Sequence, residues 1–218
     1  KFQLSENIRD LDLEGQKEKT GTPTMGGIII LISILIPTIL FADLNNIYIL
    51  IMLLVTIFVG LIGFIDDYLK IKNKNKDGLK GRFKIIGQII IGIIVSYIII
   101  TNDSIVVRNF TEPISQETLQ NGIDHIDTKD LITTIPFVKD NEFDYKWLLP
   151  GYLNEYTWVL YSLIIIFIIT AVSNGANITD GLDGLAAGTS AIVGITLSIF
   201  IYLSGNIIFS DYLNILYI

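Results

Sequence analysis

Two adjacent acids stand at the boundary of a long apolar run, in the sequence GFIDDYLK at 63–70. Asp66 and Asp67 directly follow the apolar residues 47–65, and Lys70 comes within one helical turn of them. An ionisable side chain in a membrane span costs about 2.5 to 3.5 kcal/mol on insertion scales, so acids kept there usually bind an ion, a substrate or a proton. The pair therefore predicts chemistry at a membrane surface.

The two acids are expected to do different work, because neighbouring residues of a helix project about 100° apart. One carboxylate would coordinate Mg²⁺ or position a cation, while the other would accept a proton or orient a phosphate-bearing nucleophile. Asp66 and Asp67 are therefore candidate catalytic residues and candidate metal ligands. The plain alternative is a solvated helix end where Lys70 pairs with both acids, worth only about 0.3 to 0.5 kcal/mol.

A second polar motif, NGANITDGLDGLAAG at 174–188, places a polar side chain at every third position. If the segment is helical, these side chains share one ridge, and they are interpreted as substrate-binding. Its glycines predict a backbone that is partly unwound or closely approached by a ligand. The alternative is a cap for a helix that begins near Leu182. The four polar residues are Asn174, Asn177, Asp180 and Asp183.

A third motif, KTGTPTMGG at 19–27, adds a cation and an open backbone. Lys19 is a candidate catalytic residue, and the hydroxyl of Thr22 is a candidate phosphate ligand. The motif lacks the Walker pattern of a phosphate loop. The alternative is a helix start with Pro23 in its first turn.

The composition predicts a membrane protein. Of the 218 residues, 51% are hydrophobic and only 17% are charged, which is too apolar for an ordinary soluble domain. The apolar runs approach the ~20 residues that cross a ~30 Å hydrocarbon core as helices. The predicted fold class is all-α, a polytopic transmembrane helix bundle with five complete spans and the start of a sixth. The spans are 26–42, 47–65, 85–100, 157–173 and 185–203, with another beginning near Ile207.

Lysines and arginines are concentrated before the first run and between the second and third runs. Such loops stay on the cytoplasmic side, so 66–84 and 174–184 are predicted to face the cytoplasm and 102–156 to lie outside. All three motifs then share one face, which predicts one composite site. Without an initiator Met, and with its last residues in an apolar run, the chain is expected to be the middle of a longer protein.

Three parts are predicted along the chain. Residues 1–101 hold a cytoplasmic loop, three helices and the acid pair; 102–156 form an extracytoplasmic insert; and 157–218 hold further helices and the second motif. His125, the single histidine, is interpreted as a solvated residue. Trp147 and Trp158 are predicted to mark the headgroup level of the bilayer.

An acidic pair beside lysines at a membrane surface suits phosphoryl transfer between a soluble anionic donor and a lipid acceptor. Mg²⁺ would offset the charge of a diphosphate, while Lys19 and a lysine such as Lys70, Lys80 or Lys84 would bind phosphate oxygens.

KTGTPTMGG, GFIDDYLK, GLKGRFK at 78–84 and NGANITDGLDGLAAG together resemble the phospho-N-acetylmuramoyl-pentapeptide transferase family. This family belongs to the polyprenyl-phosphate N-acetylhexosamine-1-phosphate transferases. The resemblance implies about ten helices in the bacterial cytoplasmic membrane, a site that faces the cytoplasm, and Mg²⁺ dependence. It also implies transfer of phospho-N-acetylmuramoyl-pentapeptide from UDP-N-acetylmuramoyl-pentapeptide to undecaprenyl phosphate, with lipid I and UMP as products, in peptidoglycan synthesis. No nucleic acid partner is implied, and a homodimer is left open.

The family's functional positions map onto this chain in the same order. Asp66 and Asp67 match its essential acid pair, and Asp67 is chosen as the contact to the lipid phosphate. Gln16 stands where the family often has a histidine, and the family's later GDTGS-type motif with its metal-binding Asp is not among these residues. Basic site positions match Lys19 and Lys84, and the nucleotide-side cluster matches Asn174, Asn177, Asp180 and Asp183.

Three alternatives remain open from the sequence. A sister enzyme would transfer a different UDP-linked sugar phosphate to a polyprenyl phosphate. A membrane transporter would place its acids nearer the bilayer midplane, and a membrane scaffold would not depend on Asp66 or Asp67.

Overall fold

A computed structural model describes residues 25–73, 78–110, 124–135, 141–180 and 184–217. Most of these residues are helical, which confirms the predicted all-α membrane fold. The chain divides into two compact units, Lys1–Val95 and Ser96–Ile218.

The first unit is built from apolar helices. Helix α1 covers Gly27–Phe41, α2 covers Ile47–Asn73, and α3 begins at Gly81 and continues beyond this unit to Thr101. The apolar run of α2 ends at Ile65, but its helix continues for two further turns. At 1.5 Å per residue, 47–65 span about 28 Å, close to the thickness of the hydrocarbon core. The acid pair therefore lies on the part of α2 that emerges from the core.

Glycines allow the helices of the first unit to approach closely. A Cβ atom at Gly60 on α2 would lie 2.8 Å from Cδ1 of Leu31 on α1. A Cβ atom at Gly87 on α3 would lie 2.7 Å from Cδ1 of Ile62 on α2. Small residues at such contacts are typical of helix packing in membranes, because lipid supplies little hydrophobic drive between helices.

The second unit combines two small antiparallel sheets with helices. The strands are β1 Val107–Phe110, β2 His125–Thr128, β3 Ile132–Thr134 and β4 Glu142–Asp144, and the helices are α4 Thr157–Thr179, α5 Leu185–Ser204 and α6 Ile207–Leu213. Strand β1 pairs with β2, and β3 pairs with β4. Two 3₁₀ helices, Tyr145–Leu148 and Gly151–Tyr156, lead into α4.

Four helical segments of the described residues are long and apolar enough to cross a membrane: α2, α3, α5, and α4 together with the 3₁₀ helix before it. They match four of the five predicted complete spans. Helix α1 is apolar but has 15 residues, about 22 Å, which is less than a full crossing.

The apolar stretch from Ile207, predicted as the start of a sixth span, forms only the short helix α6 in the described residues. Asn214 ends this helix in the left-handed conformation, at φ 51°. The residues around and after it contact the sheets of the same unit. Asn141 donates from Nδ2 to the carbonyl of Asn214 at 3.2 Å, and the ring of Tyr217 meets that of Phe110 at 5.7 Å.

A cross-strand ion pair joins β1 and β2. Arg108 lies opposite Asp127 in the register and donates from Nε to Oδ1 at 2.9 Å and from Nη2 to Oδ2 at 3.1 Å. These hydrogen bonds hold the pKa of the Asp127 carboxyl below its ordinary value. Because the folded pKa is the lower one, the pair stabilises the fold above the ordinary aspartate pKa of about 3.9, and this contribution is lost as the pH falls through the folded pKa.

We expect Arg108→Gln to raise the pKa of Asp127 toward about 3.9, since the charged donor is removed. The measurement is a ¹³C NMR titration of the aspartate carboxyl carbons in the detergent-solubilised protein. Lys129→Gln is the matched control, because Lys129 pairs with Asp103 at 3.1 Å and not with Asp127. An Asp127 pKa that does not move in Arg108→Gln would contradict the cross-strand pairing.

Candidate active site

Asp66 is a buried carboxylate that accepts hydrogen bonds from three donors. Its Oδ2 atom lies 2.9 Å from Nζ of Lys70 and 2.9 Å from Nζ of Lys84. Its Oδ1 atom accepts from the backbone N–H of Leu79 at 2.7 Å. Only 6% of the Asp66 side chain is exposed. A charge buried to this extent requires such partners, because an unpaired one would carry a large desolvation cost.

Local structure explains how the donors converge. Lys70 follows Asp66 on α2 at a spacing of four residues, which places both side chains on one helix face. Lys84 lies in the first turn of α3, across the helix hairpin. Between the helices, Gly78 adopts a left-handed conformation at φ 53°, and the next residue, Leu79, directs its N–H to the carboxylate. We call Asp66, Lys70, Leu79 and Lys84 the Asp66 cluster.

Asp67 has a different environment from its neighbour. Its side chain is 44% exposed, and among the described residues its polar contact is Oδ1 with Nζ of Lys70 at 3.2 Å. The pair thus consists of one buried carboxylate and one exposed carboxylate. This is the difference in environment that the helical geometry of adjacent residues predicts.

The simple alternative of a solvated helix end accounts for only part of this arrangement. Lys70 does pair with both acids, as that alternative predicts. The burial of Asp66 and its contacts with Lys84 and Leu79 go beyond a surface pair. Asp66 therefore ties the end of α2 to the start of α3.

The Asp66 cluster offers cations to an anionic ligand. Because both lysine Nζ atoms lie 2.9 Å from the same oxygen, they lie no further apart than twice that distance. Both side chains remain partly exposed. Ammonium groups held in this way can donate charge-assisted hydrogen bonds to phosphate oxygens.

The described residues contain no group of three or more side chains suited to hold a metal ion. Both oxygens of Asp66 already accept from donors, and two of these donors are cations, which makes Asp66 the less suitable metal ligand of the pair. Asp67 is the carboxylate of the pair that remains accessible, and one carboxylate with water ligands is a common way to hold Mg²⁺. Asp66 and Asp67 as metal ligands stay predictions.

The second motif lies at the end of α4. Asn174 and Asn177 belong to the last turns of this helix, and Asp180 is its C-cap residue. Asn174 donates from Nδ2 to the carbonyl of Thr170 at 2.8 Å, while Asn177 and Asp180 are exposed. The exposed pair is available to a ligand, and substrate binding by these residues stays a prediction.

The backbone of the second motif is helical at Gly175 and left-handed at Gly184. The glycines of the motif predict either an unwound backbone or close approach of a ligand. The helix continues through Gly175 to Thr179, so the backbone is not unwound at Gly175, and close approach of a ligand stays a prediction. Gly184 does adopt a left-handed conformation, at φ 77°, and it forms the N-cap of α5 without a side-chain hydrogen bond. Because a glycine occupies the N-cap position, the described residues do not support the alternative in which a side chain of this motif caps the following helix.

Three predicted site residues lie outside the described residues: Lys19, Thr22 and Asp183. The described residues of the second motif belong to the second compact unit, whereas the acid pair belongs to the first. The composite site that joins the three motifs stays a prediction.

Sequence reasoning assigned Lys84 to phosphate binding and did not pair it with Asp66. It also missed the contribution of Gly78 and Leu79. The available signal was Gly78, the first glycine of GLKGRFK, in a connection between the acid pair on one helix and Lys84 on the next. Only the folded hairpin reveals that this connection closes onto Asp66.

We expect Gly78→Ala to disrupt the Asp66 cluster. A Cβ atom at this position would lie 2.5 Å from Oδ1 of Asp66 and 2.9 Å from Cε of Lys70, and the positive φ adds strain of at least about 1 kcal/mol. Thermal unfolding in detergent should show a lower melting temperature. Gly63→Ala is the matched control, because a Cβ atom there meets nothing within 4 Å. Equal melting temperatures for the two variants would contradict the structure of this turn.

Known proteins confirm the resemblance to the phospho-N-acetylmuramoyl-pentapeptide transferase family. The family model described as glycosyl transferase family 4 matches residues 49–218. Residues 19–31 match signature 1 of the phospho-N-acetylmuramoyl-pentapeptide-transferases. The match therefore includes the acid pair, the second motif and the first motif with Lys19.

Several similar relatives carry the name phospho-N-acetylmuramoyl-pentapeptide-transferase. The protein from Amoebophilus asiaticus is 54% identical over 99% of this chain and 54% of its own length. Those from Parabacteroides distasonis and Flavobacterium psychrophilum are 50% and 52% identical over 100% of this chain, and over 53% and 55% of their own lengths. The chain thus spans about half the length of the curated relatives it matches. With the family model aligned to most of its residues, the chain belongs to glycosyl transferase family 4.

Proposed function

We propose that the full-length protein transfers phospho-N-acetylmuramoyl-pentapeptide from its UDP-linked donor to undecaprenyl phosphate. The products would be lipid I and UMP, in peptidoglycan synthesis. The main support is sequence identity: this chain is 50–54% identical, over 99–100% of its length, to proteins named phospho-N-acetylmuramoyl-pentapeptide-transferase. The Asp66 cluster and the adjacent Asp67 support it, because they place two lysines and an exposed carboxylate where α2 and α3 meet.

The proposed reaction exchanges one phosphoanhydride bond for another. An oxygen of the lipid phosphate attacks the sugar-linked phosphorus of the donor, a new P–O bond forms, and the bond to UMP breaks so that UMP leaves with the electron pair. Asp67 accepts the proton of the lipid phosphate where one is present, or orients this nucleophile. Lys70 and Lys84 offset the charge on the phosphate oxygens, and Asp66 holds both lysines in place.

Mg²⁺ is the proposed cofactor, and it would neutralise charge on the diphosphate of the donor. Of the acid pair, Asp67 is the carboxylate that is open to the ion. It would either hold Mg²⁺ and orient the nucleophile or accept the proton, since a metal-bound carboxylate is a weak base. Asp66 fits less well, since its oxygens already accept from Lys70, Lys84 and Leu79.

The remaining predicted residues complete the proposal. Lys19 and Thr22 would bind phosphate groups of the donor, and the polar side chains at the end of α4 would bind its nucleotide side. The bacterial cytoplasmic membrane is the proposed location, with the acid pair on the cytoplasmic face; the lysine-rich connection after α2 supports that orientation. The residues of the second motif proposed to bind the nucleotide side are Asn174, Asn177, Asp180 and Asp183, of which Asp183 lies outside the described residues.

The test is UMP release by purified full-length protein in detergent, with undecaprenyl phosphate as acceptor. We expect release with UDP-N-acetylmuramoyl-pentapeptide that requires both the acceptor and Mg²⁺, and little release with UDP-N-acetylglucosamine. A preference for UDP-N-acetylglucosamine would favour the sister-enzyme alternative. No release with any donor would contradict the proposed enzyme activity.

A further inference from the structure

We propose that Asn141 is a positioning residue for donor binding. It closes a bridge between α4 and α5 at the ends of these helices that lie farthest from the second motif. The bridge consists of strands β3 and β4 with the flanking residues Asn141 and Tyr145. The inference rests on the proposed function, in which the second motif binds the nucleotide side of the donor. By fixing α5 against α4, the bridge positions the parts of that motif that the two helices carry.

The bridge packs against the start of α4. The ring of Tyr145, a buried residue directly after β4, meets that of Tyr161 on α4 at 5.1 Å. Its hydroxyl lies 2.9 Å from Oγ1 of Thr133 on β3, and Phe143 on β4 packs edge to face against the same ring at 5.3 Å. Both strands of the bridge are therefore attached to the first two turns of α4.

The bridge also contacts the segment at the end of α6. Asn141, the residue before β4, donates from Nδ2 to the carbonyl of Asn214 at 3.2 Å and to that of Leu213 at 3.4 Å. The last carbonyls of a helix have no partner within the helix, so the amide satisfies groups that α6 leaves open. Oγ1 of Thr134 on β3 accepts from the backbone N–H of Leu216 at 3.5 Å. Both strands thus reach a segment that lies far away in the sequence.

Helix α6 connects this contact to α5. Two residues separate the helices, and the side chain of the second, Asn206, caps α6 by accepting from the N–H groups of Ile208 and Phe209. The ring of Phe209 lies 6.4 Å from that of Tyr202 in the last turn of α5. Ser210 on α6 is almost fully buried. The end of α5 is therefore linked through α6 to the bridge, and through the bridge to α4.

Close glycine contacts of the kind seen in the first unit do not join α5 to α4 in the part of the chain that the structure describes. A Cβ atom at Gly188 or Gly194 of α5 would meet nothing within 4 Å. Ile192 and Ile195 of the same helix are 68% and 63% exposed. Within these residues, the position of α5 relative to α4 is therefore set at the two ends, by the connection through the second motif and by the bridge.

This arrangement links Asn141 to donor binding. Asp180 ends α4, and Gly184 begins α5 on the other side of the short connection. A helix that is free at one end can tilt about the other, and a tilt of α5 moves Gly184 relative to Asp180. Coupling between distant sites usually changes affinity by about 5- to 150-fold. Loss of the bridge should therefore weaken binding of the donor.

Asn141→Asp tests the bridge, because it replaces the donating amide with a carboxylate that repels the two carbonyl oxygens. Asn141 lies at φ 54°, and aspartate enters the left-handed region as asparagine does, so the backbone should tolerate the change. In the full-length protein, we expect the KM for UDP-N-acetylmuramoyl-pentapeptide to rise at least about fivefold. We expect kcat and the KM for undecaprenyl phosphate to stay unchanged, because the acid pair lies in the first unit. Asn102→Asp is the matched control, because its Oδ1 can still accept from the N–H of Ser104.

A distance measurement separates the bridge from the proposed function. Spin labels are attached to cysteines introduced at Leu163 of α4 and Phe200 of α5, both exposed, in full-length protein that carries no other cysteine. Pulsed electron spin resonance in detergent then reports the separation of the bridged ends. We expect a narrow distribution of distances in the wild type and in Asn102→Asp, and a broader one in Asn141→Asp.

An unchanged distribution of distances in Asn141→Asp would overturn the bridge. A broader distribution with a wild-type KM for the donor would show that the bridge does not position the second motif, and would overturn the inference equally. If Asn141→Asp does not fold, Thr134→Val decides in its place, because it removes the acceptor for Leu216 and should change both readouts in the same direction. Absence of UMP release by the wild type would contradict the proposed function, whereas the distances would still decide whether the bridge holds α5.

Discussion

Asp67→Asn in the full-length protein is expected to lower the rate of UMP release by about 10²- to 10⁴-fold, the usual contribution of a positioned acid or base. The substitution keeps the size of the side chain and removes its charge and basicity. Because Asp67 is 44% exposed and contacts only Lys70 at 3.2 Å among the described residues, the fold should tolerate the change. The measurement is the initial rate with saturating donor, acceptor and Mg²⁺.

Asp43→Asn is the matched control for this result. Asp43 lies between α1 and α2, and it accepts from the backbone N–H of Asn45 at 3.0 Å. The same chemical change there should leave the rate unchanged. A wild-type rate for Asp67→Asn would remove this residue from the proposed mechanism, while equal losses in both variants would point to a general effect on the membrane helices.

Asp66→Asn is expected to destabilise the protein by about 3 kcal/mol, the low end of the cost of breaking a buried ion pair. The substitution leaves two ammonium groups without the carboxylate that they share at 2.9 Å. We expect the smaller loss of stability because Lys70 and Lys84 are partly exposed, so water can solvate their ammonium groups. Chemical unfolding of the first unit's helices, followed by cysteine accessibility at introduced sites in detergent, would measure the loss.

A double-mutant cycle sharpens this prediction. Lys84→Met removes the cross-helix partner, and its coupling with Asp66→Asn should amount to about 0.5 to 3 kcal/mol. Asp67→Asn is the matched control, since an exposed pair is worth about 1 kcal/mol or less. If Asp66→Asn and Asp67→Asn proved equally stable, the buried position of Asp66 in the cluster would be contradicted.

The transmembrane helices were largely predictable because lipid imposes a simple rule. A run of about 20 apolar residues must satisfy its backbone internally, so length and composition identify the helix. The ends were less predictable, because polar residues such as those after Ile65 can continue a helix into the aqueous phase. Hydropathy marks where the apolar core ends, whereas α2 ends at Asn73, beyond the acid pair.

The different environments of the two acids could be predicted only in outline. Helical geometry indicates that Asp66 and Asp67 point in different directions. Which one is buried depends on Lys84 and Leu79, which come from beyond α2 and reach Asp66 only when the helix hairpin closes. Such tertiary contacts leave no periodic signal in the sequence.

The sheets of the second unit were not predicted, for a related reason. Strands of three or four residues are too short for an alternating pattern to stand out. Their pairing depends on register, as the contact of Arg108 with Asp127 illustrates. The position of Trp147 and Trp158 next to the start of α4 was easier to interpret, because aromatic residues concentrate where a chain enters the bilayer.

The central claim is that a sugar phosphate, and not a sugar alone, passes to the lipid. The most direct measurement uses UDP-N-acetylmuramoyl-pentapeptide with ³²P in the sugar-linked phosphate, incubated with full-length protein and undecaprenyl phosphate. We expect the label to enter the lipid phase in a one-to-one ratio with unlabelled UMP released into water. Label that stays in water as UDP would show transfer of the sugar without its phosphate and would contradict the proposed function.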